Sequence, residues 1–122
     1  DIMHSQSRMP LVDCGTVLPK ALLEMTSKGL GMTGVVDKEG KLVGIFTDGD
    51  LRRALNQSIN LYDALIDDVM TAHPQTTSAD ALAAETVVVM REASINGLFA
   101  INDAREPIGA LNILDLVRAG IF

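Results

Sequence analysis

The chain has 122 residues, 48% of them hydrophobic, and a mean hydropathy of +0.25, enough apolar material for one ordinary domain or for two small units that share a core. Ten basic against sixteen acidic side chains leave a formal charge of −6, and no Lys/Arg cluster or interleaved aromatics offset it, which excludes nucleic acid and anionic membrane as partners held by general attraction. No apolar run approaches the roughly 20 residues that cross a bilayer, no signal-peptide pattern stands at either terminus, and Cys14 is the lone cysteine, so a reducing cytoplasm is the expected setting. A chain that starts at Asp1 without an initiator methionine is expected to be a processed product or a segment of something longer. With only Tyr62 and three phenylalanines for aromatic bulk, its interior must be aliphatic, packed by Val, Ile, Leu, Ala and six methionines.

In chain order, Asp1-Ile2-Met3-His4 opens a polar stretch that ends at Pro10, and Leu11-Val12 is a short strand candidate. Thr16 is placed to cap a helix whose first turn tolerates Pro19, because early helical N–H groups have no partner to lose. Leu18, Ala21, Leu22 and Met25 then fall on one apolar stripe, and Gly29 and Gly31 stop the helix. Thr33-Gly34-Val35-Val36 and Lys41-Leu42-Val43-Gly44-Ile45-Phe46 read as a hairpin across Asp37-Lys38-Glu39-Gly40, with Gly40 placed for positive φ. A second helix is expected from Asp48 to about Asn56, acids first and Arg52 and Arg53 later, the order the helix dipole favours.

Residues 57–67 form a connector, with a helical piece expected around 63–69. Asp68-Val69-Met70-Thr71 then repeats the opening quartet, followed by a polar stretch and Pro74. Ser78 or Asp80 is expected to cap a helix carrying Leu82, Val87 and Met90, although the β-branched run Thr86-Val87-Val88-Val89 conflicts with helix propensity. Leu98-Phe99-Ala100-Ile101, a turn over residues 102–106, a strand over 108–111 and a helix from about Ile113 complete the chain.

Setting residue n against n+65 from Val12 to Leu55 needs no gap and pairs Met25 with Met90, Gly44 with Gly109, Asp50 with Asp115, Leu51 with Leu116, Arg53 with Arg118 and Ala54 with Ala119. Apolar character matches at Val36/Ile101, Val43/Ile108 and Phe46/Leu111. The chain therefore reads as α/β (α+β), two β-α-β-β-α repeats over residues 1–56 and 68–122, joined by 57–67. Each repeat is too small to bury a comfortable core alone, so the two are expected to pack sheet against sheet about a pseudo-two-fold axis, with clefts between them.

The identities cluster where a strand runs into a helix, at Gly44-Ile45-Phe46-Thr47-Asp48-Gly49-Asp50-Leu51-Arg52-Arg53 and at Gly109-Ala110-Leu111-Asn112-Ile113-Leu114-Asp115. The spacing of Gly44, Thr47 and Asp50, the Val69-Met70-Thr71 opening and the element order resemble a tandem CBS domain pair, or Bateman module, over essentially the whole chain. More narrowly, Gly29-Leu30-Gly31-Met32-Thr33 with the first corner is similar to the C-terminal part of D-arabinose-5-phosphate isomerases, which join a sugar-isomerase (SIS) domain to a CBS pair and serve the synthesis of Kdo for lipopolysaccharide. The resemblance implies a noncatalytic regulatory module with no required cofactor and an isomerase domain upstream. It also implies a homodimer through the CBS helices within a higher oligomer of the parent, and an effector such as AMP, ATP or CMP-Kdo.

For the site, the resemblance implies that Thr47 and Asp50 contact nucleotide phosphate and ribose in the first repeat, with Asp48 beside them. Asp115 follows in the second, where Asn112 replaces the threonine. Met32, Thr33 and Gly34, and their counterparts Gly97 and Leu98, stand where family members touch a base. Chemistry agrees: an ionised carboxylate is an acceptor-only fork for two adjacent ribose hydroxyls, and a Thr hydroxyl with N–H groups at a helix start suits phosphate, helped by Arg52, Arg53, Arg91 or Arg118. The plain alternative is that Thr47, Asp48, Asp50, Asn112 and Asp115 cap helices, Arg53 and Arg118 ion-pair near helix C-termini, and the strand residues pack. His4 and His73 lack a second ligand at metal spacing, Cys14 lacks a nearby His, and no Ser-His-Asp arrangement is present, so neither a metal nor catalysis is expected. The rival to ligand sensing is a structural dimerisation module with no ligand.

Overall fold

The computed structural model describes Met3, residues 8–78, 80, 81, 83–118 and 120, apart from the Ala83 side chain. The elements are β1 (Leu11–Asp13), α1 (Leu18–Lys28), β2 (Met32–Val36), β3 (Leu42–Thr47), α2 (Asp48–Asn56), α3 (Ile66–Val69), β4 (Thr71–Ala72), β5 (Thr76–Ser78), α4 (Ala83–Ala93), β6 (Gly97–Ile101), β7 (Pro107–Asn112) and α5 (Ile113–Arg118). Pro10–Pro74 form one compact unit; the described residues of Gln75–Phe122 and of Asp1–Met9 form the other.

In the first unit the sheet order is β1-β2-β3-β4. β1 runs parallel to β2, and β2-β3 is the expected hairpin. Its turn is held by Asp37 Oδ1, which accepts from the N–H groups of Glu39 (2.9 Å) and Lys41 (3.0 Å), with Gly40 at φ +79°. Leu18, Ala21 and Met25 bury the α1 stripe against Val35, Phe46, Ala64 and Ile66, while Leu22 packs at the margin. Thr16 does not cap α1. The N-cap is Val17 in extended conformation without a side-chain bond. The connector supplies the missing acceptor instead, as the Leu18 N–H donates to the Ala64 carbonyl at 2.9 Å, and the Thr16 carbonyl accepts from Ile66 at 2.8 Å. Gly29 closes the helix in the left-handed region, its N–H on the Met25 carbonyl.

The second unit repeats this framework with an offset of 65 residues. Met32↔Thr47 in β2-β3 becomes Gly97↔Asn112 in β6-β7, and Leu11↔Gly34 becomes Thr76↔Phe99. Even the irregularity between Val35 and Val36 recurs between Ala100 and Ile101. The β-branched run does sit in α4: Thr86, Val87 and Met90 turn inward, and Val87 and Met90 join Leu98, Leu111 and Leu116 in the core. Burial of that face outweighs the modest propensity cost. Ser78 ends β5 and α4 begins at Ala83, so the expected Ser78 cap is corrected to a strand terminus. Leu82 and Ala119, like His4, lie outside the described residues.

The compact units and the sequence repeats are drawn differently. Met3, from the opening of the first repeat, packs on the Val87/Leu116 cluster, and Val69 and Met70, from the opening of the second, pack on the Leu18/Phe46 cluster. β4 adds to β3 through Gly44↔Ala72 and Ile45↔Thr71. Sequence reading missed β4 and β5, whose polar Thr/Ser composition carries no apolar alternation.

Candidate functional site

The β3-α2 corner starts from Thr47, extended at φ −125° and ψ 173°, which ends the strand and caps the helix. Its hydroxyl accepts from the Asp50 N–H at 3.3 Å, and its own N–H donates to Asp50 Oδ2 at 2.9 Å, a reciprocal capping box. The Thr47 hydroxyl also donates to Oδ2 at 3.1 Å. The other carboxylate oxygen, Oδ1, accepts from Arg53 Nη2 one turn on and from the Thr71 hydroxyl of β4 at 2.8 Å. Asp50 is thus buried, 4% exposed, with donors on both oxygens, while the Arg53 side chain is 64% exposed.

The strand pairing brings Met32 opposite Thr47, and both Met32 and Thr33 are buried. The Thr33 hydroxyl donates to the Gly34 carbonyl at 3.2 Å, and the Gly34 N–H to the Pro10 carbonyl at 2.9 Å, so their polar groups are already used within the strand layer. Asp48 is exposed, and a Cβ added at Gly31, at φ +71°, would lie 3.4 Å from its Oδ2. Thr47, Asp48, Asp50, Met32 and Thr33 therefore gather at one end of one sheet, while Gly34, paired with Leu11 and Ile45, lies in the middle of β2.

At the matching corner the Asn112 N–H donates to Asp115 Oδ2 and the Asp115 N–H to Asn112 Oδ1, both at 3.0 Å. Asparagine does here what threonine does at 47, which preserves the cap. Gly97 pairs with Asn112 across β6-β7, with Leu98 buried next to it.

A concave pocket of about 230 Å³ opens on the α2 side of Asp50, lined by Asp50, Arg53, Gln57, Asp68, Met70 and Thr71 among others. Thr71 is the residue sequence reasoning missed. It was visible in the Val69-Met70-Thr71 opening, but a separation of 21 positions gives no hint that its hydroxyl reaches Asp50. Among the described residues no cluster of His, Cys, Asp or Glu is arranged to hold a metal ion. His73 is exposed between β4 and β5. Cys14 is exposed as well; desolvation of its sulfur and then the carboxylates of Asp67, Asp37 and Asp13 push its thiol above the usual range, the reverse of an activated nucleophile.

The doubled framework and the paired capping corners define a tandem module, and the sequence pattern described as "CBS domain" matches residues 1–57 and 66–121. The chain belongs to the CBS domain family as a tandem pair. Arabinose 5-phosphate isomerase KdsD of Pseudomonas aeruginosa is 51% identical over 122 residues, all of this chain and 37% of the relative. The protein of the same description from Escherichia coli K12 is 38% identical over 121 residues, 99% of this chain and again 37% of the relative. The chain thus spans well under half the length of these curated relatives. Among solved structures, the CBS domain pair of protein MJ0100 in complex with 5′-methylthioadenosine and S-adenosyl-L-methionine is similar with TM-score 0.84 and 26% identity, over 98% of this chain and 96% of that one. CBSX2 in complex with AMP shares the fold with TM-score 0.84 at 24% identity, over 99% of this chain and 93% of that one. No helix among the described residues is long and apolar enough to cross a membrane.

Proposed function

We propose that this CBS pair is the noncatalytic regulatory part of a cytoplasmic arabinose-5-phosphate isomerase of Kdo and lipopolysaccharide biosynthesis, preceded in the parent by a SIS catalytic domain. The observation that carries this reading is the 51% identity to Arabinose 5-phosphate isomerase KdsD along the full chain. The effector is a nucleotide or nucleotide sugar, AMP, ATP or CMP-Kdo, held by Thr47 and Asp50, with Met32, Thr33 and Gly34 near the base. Support for an adenosine-type ligand comes from the MJ0100 pair, whose complex holds two adenosine derivatives. Asn112 and Asp115, with Gly97 and Leu98, form the weaker second site. Regulation works by population shift: the effector moves the parent enzyme only as far as its affinity differs between two arrangements. Calorimetric titration with AMP, ATP, CMP-Kdo and S-adenosyl-L-methionine tests this; saturable heat with at least one supports it, and a flat response to all overturns it.

A second reading, a dimerisation module with empty clefts, is favoured by one feature: Leu23, Leu55, Leu114 and Val117 expose more than half of their surface on helices. Light scattering with and without nucleotide separates the two. A stable dimer and no thermal shift from any nucleotide supports this second reading.

A further inference from the structure

The acceptor capacity of Asp50 is spoken for. An ionised carboxylate offers about four lone-pair directions; Oδ2 takes the Thr47 N–H and hydroxyl, and Oδ1 takes Arg53 and the Thr71 hydroxyl. A ligand hydroxyl that reaches this carboxylate must therefore displace one of the four donors. The Thr47 N–H is fixed by the end of β3, and its hydroxyl closes the capping box. Losing Arg53 strips a buried carboxylate of its counter-charge. Thr71 is the neutral donor, on an exposed residue of a two-residue edge strand, and it stands with Asp50 on the wall of the 230 Å³ pocket.

We infer that Thr71 is a latch on the site carboxylate: a ligand hydroxyl takes over its place on Asp50 Oδ1 and releases β4, so that occupancy is read out through the segment that opens the second repeat. The inference rests on the reading of Asp50 as a ligand-contacting residue and adds how binding leaves the site. β4 is suited to such release. It is held by two strand pairings with β3, by Met70 seated on the bare backbone of Gly44, and by the Thr71 hydroxyl. Only the last of these competes with a ligand. Thr71 also follows directly on Asp68, Val69 and Met70, which line the same pocket, so movement of the strand reshapes the pocket wall.

The test compares wild type, Thr71→Val, which keeps the shape and loses the hydroxyl, and Thr71→Ser, which restores it, using calorimetry with AMP, ATP, CMP-Kdo and S-adenosyl-L-methionine and hydrogen exchange on β4. Thr71→Val is expected to bind about tenfold tighter than wild type, because one competing hydrogen bond is gone, and Thr71→Ser to return to the wild-type value. Ligand is expected to speed amide exchange of β4 in wild type and to leave it unchanged in Thr71→Val, where the latch is already open. Wild type silent with binding by Thr71→Val also supports the latch. Binding by wild type with equal or weaker binding by Thr71→Val, or Thr71→Ser behaving like Thr71→Val, overturns the latch and leaves the nucleotide reading standing. No binding by wild type or variants overturns both.

Discussion

Asp50→Ala removes the acceptor for four donors at once, and its cost follows from how exposed each donor is. The Thr47 N–H loses its partner in the capping box, which costs about 1 kcal/mol. The Thr71 hydroxyl loses a 2.8 Å bond to a charged group, worth about 1–1.5 kcal/mol after discounting for the exposure of Thr71. Breaking a fully buried ion pair would cost about 3–5 kcal/mol, but the Arg53 side chain is 64% exposed and regains water, so its share is below about 1 kcal/mol. The expected loss is about 2–3 kcal/mol, within the stability of a domain of this size. In urea, with a slope of about 1.5 kcal/mol per molar, the midpoint falls by about 1.3–2 M. Arg53→Ala alone leaves the buried Asp50 carboxylate without its counter-charge but with its three neutral donors, and should cost about 1–2 kcal/mol, less than Asp50→Ala. An Asp50→Ala variant that unfolds within about 0.3 M of wild type, or an Arg53→Ala variant that matches it, would refute the picture of Asp50 as the tie between α2 and β4.

Three further outcomes are expected. Gly40 at φ +79° has open space around a would-be Cβ, so Gly40→Ala carries only the backbone cost, about 1 kcal/mol in urea unfolding; Arg105 holds the matching position at φ 64°, and Arg105→Gly should not destabilise. A Cβ on Gly44 would lie 2.4 Å from the Met70 sulfur, so Gly44→Ala should cost about 1–2 kcal/mol, and the double variant with Met70→Ala should recover part of it in a double-mutant cycle. Because the folded state raises the Cys14 pKa, its thiolate is scarcer at neutral pH than in a free cysteine; alkylation by iodoacetamide should be slow near pH 8 and still rising where a free thiol has levelled off, and Asp67→Asn should speed it.

The repeat and most elements were legible because burial imposes periodicity: the Leu18, Ala21, Met25 stripe and the hairpin strands carry it openly. The β-branched run at Thr86 was legible only through the match with α1, since local propensity pointed to a strand. What stayed hidden depends on long-range partners. Thr16 was a plausible cap until the connector, some 50 positions on, supplied the Ala64 carbonyl to Leu18. The two-residue β4 has no apolar pattern to detect, and with it went the Thr71 contact. Thr47 and Asp50 were legible as a pair through the resemblance of their motif to CBS domains; that their polar atoms are largely committed to each other and to Arg53 and Thr71 is a property of the fold. Asn112 reads correctly as a cap in threonine's place, since its side-chain oxygen accepts from the same helical position.

Nucleotide binding through the Thr47–Asp50 corner is tested by native mass spectrometry of wild type and Asp50→Asn with AMP, ATP and CMP-Kdo. Wild type is expected to show a saturable mass increment of one ligand with at least one of the three, and folded Asp50→Asn to lose it. Bare protein with all three, or an increment that Asp50→Asn retains undiminished, would contradict it.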